Sequence, residues 1–214
     1  MTGLVFHETM SGPFAMGVDT PQEGERVGRR TGWRLRLHST VTIGNVDRFV
    51  ADPQHTAALS GEIELPGITR RIPFRNGTFQ LFVPSRGGGL RLMTYEAEFE
   101  HAGARHRFAG EKRVRDDFGF DLMPDTTTLH SRLYRNGDAV AGGGVLRIGL
   151  AGLARMIASM RAREAVSPDE AARAMAAFGL LFGRNVREAY LSRPQAWAEA
   201  ARRRAVPSEA GWER

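Results

Sequence analysis

The sequence predicts a mainly β protein, an antiparallel up-and-down β-barrel followed by two to three C-terminal helices. Apolar and polar side chains alternate through most of residues 4–150, as they do in half-buried strands. Compact turn signals such as Asn136-Gly137 separate these segments. From Gly152 onward the apolar residues instead recur every three or four positions, which is the period of a helix. Seven or eight consecutive strands favour closure, because closure removes exposed sheet edges.

The strands are expected in order along the chain. The first covers residues 5–10 and the second 33–43, after which Asn45 is expected to cap a short helix around Phe49. Strands around 61–65, 79–83 and 93–99 follow, with Asn76-Gly77 as a hairpin turn and the glycines at 87–89 as a loop. The last strands cover 105–115, 125–134 and 140–150. Helices are expected only near Phe49 and after Gly152.

The chain reads as one domain in three parts. Residues 1–150 form the barrel, residues 151–205 form helices packed on it or plugging one mouth, and residues 206–214 form a tail. Ser167, Pro168 and Glu170 have the order of a capped helix start. An eight-stranded barrel of the lipocalin or cyclase kind holds one small ligand. An open curved sheet wrapped on the long helix is the alternative architecture.

Composition excludes several function classes. The 214 residues include no cysteine, which excludes disulfides and thiol chemistry. The net charge is +6, but acidic residues are interleaved with the arginines, so we expect no nucleic-acid binding. No run of about 18 apolar residues and no signal peptide is present, which predicts a cytoplasmic protein without a membrane span. The spacing of the six histidines fits no metal site, and no cofactor motif occurs.

Lys112 is the only lysine in the chain, although Lys and Arg together number 30. Strand alternation places Lys112 on the same side as Phe108 and Val114, toward the interior. A lysine is a compact cation whose pKa falls on burial, whereas arginine stays charged. A single interior lysine is therefore a candidate functional residue, and the alternative is a purely structural ion pair.

Alternation brings two further polar side chains inward. Glu8 shares a face with Phe6 and Met10, and Tyr95 shares a face with Met93. Glu8, Tyr95 and Lys112 are the predicted catalytic residues, because a carboxylate and an ammonium in an apolar pocket can move protons. The predicted substrate-binding residues are apolar and inward-facing: Phe6, Met10, Leu37, Phe79, Leu81, Met93, Phe108 and Leu129.

Several short motifs occur in a recognisable order along the chain. They are Phe6–Gly12, Gly77–Phe82, Met93–Tyr95, Gly110–Val114 with Asp116-Asp117, and Asp125–Leu129, followed by Arg155, Phe182 and Tyr190. Together they resemble a bacterial domain associated with GMC-type, cholesterol-oxidase-like flavin oxidoreductases. The resemblance spans most of the chain, from Phe6 to Tyr190. The chain lacks the Gly-x-Gly-x-x-Gly flavin fingerprint and is too short for the oxidase itself.

Three functions are compatible with the sequence. The first is an enzyme that binds a bulky sterol-, terpenoid- or polyketide-like molecule and catalyses an isomerisation or cyclisation by proton transfer, without a cofactor. The second is a carrier with the same cavity and no chemistry. The third is a docking module for a flavin oxidoreductase, with a solidly packed interior. The resemblance implies association with hydrophobic substrates, and the candidate protein partners are that oxidoreductase and a second copy of the chain.

Overall fold

In the computed structural model, which describes residues 1–68, 70–84, 90–115 and 127–191, eight antiparallel strands close into a barrel. They are β1 (Gly3–Met16), β2 (Arg34–Ile43), β3 (Thr56–Glu64), β4 (Ile72–Pro84), β5 (Leu90–His101), β6 (Ala104–Arg115), β7 (Thr128–Arg135) and β8 (Ala139–Arg147). Each strand pairs with the next along the chain, and β1 completes the closure by pairing with both β2 and β8. A short strand, β9 (Arg161–Arg163), adds to β1 outside the barrel. The predicted fold class is therefore confirmed.

The alternation along β1 sets the direction of its side chains. Leu4, Phe6, Glu8 and Met10 are buried, while the residues between them are more exposed. The register with β2 places these inward side chains beside inward residues of that strand, with Glu8 opposite Ser39. A period of two thus fills the barrel interior from every strand, because successive side chains point to opposite faces.

The C-terminal helices cover one end of the barrel. They are α3 (Leu150–Ser159) and α4 (Pro168–Leu191), and α2 (Val46–Ala51) lies at the same end. Phe178 of α4 packs against Phe6 of the barrel, with ring centroids 6.0 Å apart, and against Phe49 of α2 at 6.2 Å. The predicted caps are present. The Asn45 side chain accepts a hydrogen bond from the Arg48 N–H at 2.9 Å, and Ser167 accepts one from the Glu170 N–H at 3.2 Å.

The expectation that helices occur only near Phe49 and after Gly152 is wrong, because helix α1 (Pro21–Thr31) precedes β2. Its start carries ordinary signals, since the Thr20 side chain accepts a hydrogen bond from the Glu23 N–H and Pro21 occupies the first turn. Gly32 ends it with a φ of 74°, in the left-handed region that favours glycine.

Helix α1 packs on the barrel through glycines rather than large apolar side chains. A Cβ at Gly24 would lie 1.8 Å from the Gly143 carbonyl oxygen, and one at Gly28 would lie 2.4 Å from the Phe14 nitrogen. The helix backbone therefore lies directly against β1 and β8. A helix with this contact face has no apolar stripe, which is the signal that sequence periodicity detects. The glycines of β8 also allow close packing, since a Cβ at Gly143 would lie 2.8 Å from the Thr20 carbonyl oxygen.

The Asn76-Gly77 pair does not form the predicted hairpin. It lies inside β4, where Asn76 has a φ of 60° and the register with β5 shifts between Arg75 and Thr78. A bulge uses the same left-handed backbone as a tight hairpin turn, so the dipeptide alone does not separate the two. Asn136-Gly137 does connect β7 and β8, with φ values of 50° and 114°, as predicted.

Some predicted features fall outside the described residues. These are the glycine loop at 87–89, the Asp116-Asp117 and Asp125 motif residues, residues 192–205 of the predicted helical part, and the predicted tail at 206–214. Among the helices that are described, none combines the length and the apolar character needed to cross a membrane.

Candidate functional site

A cavity of about 350 Å³ lies between the barrel interior and the two C-terminal helices. We call it the inner cavity. Its barrel side comprises Phe6, Glu8, Phe79, Leu81, Met93, Tyr95, Lys112 and Ile148. Its helix side comprises Leu153, Met156, Ile157, Met160, Met175, Phe178, Gly179 and Phe182. Among the described residues, the lining is apolar except for three side chains from three different strands.

These three side chains form one hydrogen-bonded group, the Glu8 triad (Glu8, Tyr95 and Lys112). The Lys112 ammonium donates to Glu8 Oε1 at 2.8 Å, and the Tyr95 hydroxyl donates to Glu8 Oε2 at 2.8 Å. The Lys112 Nζ also lies 5.1 Å from the centroid of the Tyr95 ring, within cation–π range. The Lys112 and Glu8 side chains are only 3% and 2% exposed, so the ion pair is buried.

Barrel closure explains why residues so distant in sequence meet. Glu8 faces inward from β1, Tyr95 from β5 and Lys112 from β6. Met93 is the register partner of Lys112 and Gly110 is that of Tyr95, so the lysine and the tyrosine occupy adjacent levels of one strand pair. Because the barrel wraps around, β1 lies across the interior from that pair. The sequence predicted this convergence from alternation alone.

The electrostatics of the triad fix the protonation of its tyrosine. Burial raises the pKa of the Tyr95 hydroxyl well above its usual value, and the neighbouring Glu8 charge and its hydrogen bond raise it further. The phenol therefore keeps its proton at neutral pH and donates a hydrogen bond to Glu8. The Ser39 hydroxyl donates to the Glu8 main-chain carbonyl at 3.2 Å, which anchors this part of β1.

The predicted binding residues divide by depth along the barrel. Phe6, Phe79, Leu81 and Met93 line the inner cavity. The other four are fully buried members of the hydrophobic core and do not line it: Met10, Leu37, Phe108 and Leu129. Leu129 fills the space beside Gly110, where a Cβ would come within 2.9 Å of its side chain. Alternation gives the inward direction of a side chain but not its level along the barrel axis.

Sequence reasoning missed the helix side of the inner cavity. It identified the apolar faces of α3 and α4 without assigning them to a ligand site. The available signal was the methionines Met156, Met160 and Met175 on these faces, because methionine is flexible and adapts to varied ligand shapes. Two lining residues on these helices are partly exposed, Ile157 at 60% and Phe182 at 37%.

No cluster of three or more His, Asp or Glu side chains suited to a metal ion occurs in the described part of the chain. A comparison of the chain with protein-family models, with curated proteins and with solved structures finds no match. The resemblance to the flavin-oxidoreductase-associated domain therefore stays a prediction based on its motifs.

Proposed function

We propose that the barrel binds one hydrophobic small molecule in the inner cavity and that the Glu8 triad carries out a proton-transfer step on it. The observation that supports this is one hydrogen-bonded group of polar side chains in a cavity wall whose other described residues are apolar. Ligand sites in proteins typically combine apolar walls with a few convergent polar groups. The volume of about 350 Å³ is near the lower end of the usual range, roughly 300–1,000 Å³. It favours a molecule the size of a terpenoid or a small polyketide over a full sterol.

Each member of the triad has a distinct role in this proposal. The Glu8 carboxylate removes a proton from the ligand and returns it at a second position. The Lys112 ammonium stabilises negative charge that develops on the ligand during the transfer. Tyr95 holds the Glu8 carboxylate in position through its 2.8 Å hydrogen bond. Returning the proton at another atom is an isomerisation, and ring closure before its return is a cyclisation.

A carrier without chemistry is the second candidate. It is favoured because the Glu8 and Lys112 charges already compensate each other in an ion pair 2.8 Å long. The carrier uses the same cavity, so binding tests both candidates and turnover separates them. The solid interior expected of a docking module is not what is observed, since the barrel holds the inner cavity. Association with a flavin oxidoreductase is supported by the motif resemblance alone.

Filling the inner cavity is expected to block ligand binding. Met156→Trp places an indole on the helix side of the cavity, and we expect it to weaken binding of the uncharged dye 1-aminoanthracene at least about tenfold. Fluorescence titration measures the affinity. Leu150→Trp is the matched control, because Leu150 starts the same helix, is 73% exposed and does not line the cavity. Wild-type dye affinity in the Met156→Trp variant would argue against the inner cavity as the binding site.

A further inference from the structure

The Lys112 ammonium has hydrogen-bonding capacity that the protein does not use. An ammonium carries three N–H donors. Among the residues that the structure describes, Glu8 Oε1 is its only hydrogen-bond acceptor. Lys112 also lines the inner cavity. Two donors therefore remain for a ligand, and a buried donor without an acceptor is costly.

The other two members of the triad are already engaged with each other. Both Glu8 oxygens accept a hydrogen bond, one from Lys112 and one from Tyr95, and the single Tyr95 hydroxyl hydrogen is used on Glu8. The hydrogen-bond donors left unused are thus those of Lys112, while each Glu8 oxygen keeps a lone pair that can accept a proton. A carbonyl oxygen, which only accepts, is the complementary group. A ligand hydroxyl would bring a hydrogen that competes for the Glu8 oxygens.

The charge of the triad restricts the ligand further. Glu8 and Lys112 compensate each other's charge, and the other lining side chains in the part of the chain that the structure describes are uncharged. A ligand carboxylate would therefore add a second negative charge beside Glu8 without a second cation. Burying an uncompensated charge in an apolar site is strongly unfavourable. The cavity is expected to reject fatty-acid anions although its walls suit their hydrocarbon chains.

We propose that the ligand is a neutral ketone-type carbonyl compound with a hydrocarbon body, whose carbonyl oxygen accepts a hydrogen bond from the Lys112 ammonium. This inference rests on the proposed function, because it assigns the chemical class of the molecule in the same cavity. It also gives the proton transfer a definite course. Glu8 removes a proton from the carbon beside the carbonyl, the C–H electron pair moves into the new C=C bond, and the oxygen becomes an enolate stabilised by Lys112. Return of the proton to carbon restores the carbonyl.

Competition between matched ten-carbon ligands tests the inference. Decan-2-one, decan-2-ol and decanoate share a chain length and differ in the polar group. Each is titrated against 1-aminoanthracene bound to the wild-type protein at neutral pH, and the loss of dye fluorescence gives its affinity. We expect decan-2-one to bind about tenfold more tightly than the alcohol or the anion, because a hydrogen bond to a charged donor is gained and no charge is buried. Equal or tighter binding of decanoate or decan-2-ol would overturn the assignment.

A double variant tests whether the triad causes the preference for the ketone. Glu8→Gln with Lys112→Met removes both charges together and nearly keeps the side-chain volumes. In this variant the advantage of decan-2-one over decan-2-ol should fall to less than about threefold. A full wild-type preference in the variant would contradict the role of Lys112. Failure of the dye itself to bind wild-type protein would instead contradict the proposed function, so the two failures are distinguishable.

Discussion

Replacing Lys112 with methionine is expected to lower the free energy of unfolding by about 3–5 kcal/mol, because the Glu8 carboxylate then stays buried without its cation. Both side chains are almost completely buried, so water does not replace the lost partner. Urea denaturation at neutral pH measures the change. Arg113→Met is the matched control on the same strand, since Arg113 pairs with Glu111 at the surface and is 52% exposed. Such exposed pairs contribute only about 0–1 kcal/mol.

Adding Glu8→Gln to Lys112→Met should restore most of the lost stability. The second substitution removes the uncompensated charge, and the glutamine side-chain oxygen can still accept the Tyr95 hydrogen bond. The double variant is therefore expected to be more stable than the Lys112→Met single variant. If the single variant loses no more stability than Arg113→Met, Glu8 and Lys112 do not form a buried ion pair in solution.

The Glu8→Gln variant is expected to slow hydrogen exchange at the carbons beside the carbonyl of decan-2-one at least about 100-fold, because it removes the base. The wild-type protein in D₂O should replace these hydrogens with deuterium, since each reversible enolisation returns a solvent deuteron. Mass spectrometry of the recovered ketone measures the rate. This assay detects the proposed proton transfer without knowledge of the natural substrate.

Lys112→Arg is expected to abolish the same exchange while the thermal unfolding transition changes little. Arginine keeps the positive charge beside Glu8, but its larger planar group does not place a donor where the compact Lys112 ammonium would meet the carbonyl oxygen. Arg113→Met should exchange at the wild-type rate. Equal exchange in wild-type and Glu8→Gln proteins would exclude Glu8 as the base. Wild-type exchange no faster than in buffer would favour the carrier.

The Glu8 triad could be predicted from the sequence because the direction of its side chains depends on local strand geometry. Inward direction follows from a period of two in β1, β5 and β6, and closure then brings Glu8, Tyr95 and Lys112 together. Helix α1 could not be predicted, because its contact face is Gly24 and Gly28 against barrel backbone. Glycines at these positions indicate a contact face only when the position of the opposing strands is known.

Two other features depended on packing in three dimensions. Met10 and Leu37 face inward like Phe6 but lie in the packed core, because alternation does not encode position along the barrel axis. The helix side of the inner cavity was missed for a related reason. An amphipathic pattern shows that α3 and α4 bury one face, but it does not show that Met156 and Met175 cover a cavity rather than solid core.

The methionine methyl groups provide the most direct test of ligand binding in the inner cavity. Of the eight methionines, Met93, Met156, Met160 and Met175 line the cavity, whereas Met1 and Met16 are exposed elsewhere. Protein labelled with ¹³C at the methionine methyls is titrated with decan-2-one and followed by NMR. Binding in the inner cavity predicts saturable shifts of the four cavity methyl signals, with those of Met1 and Met16 unchanged. Saturable binding that leaves the four cavity signals in place would contradict the account.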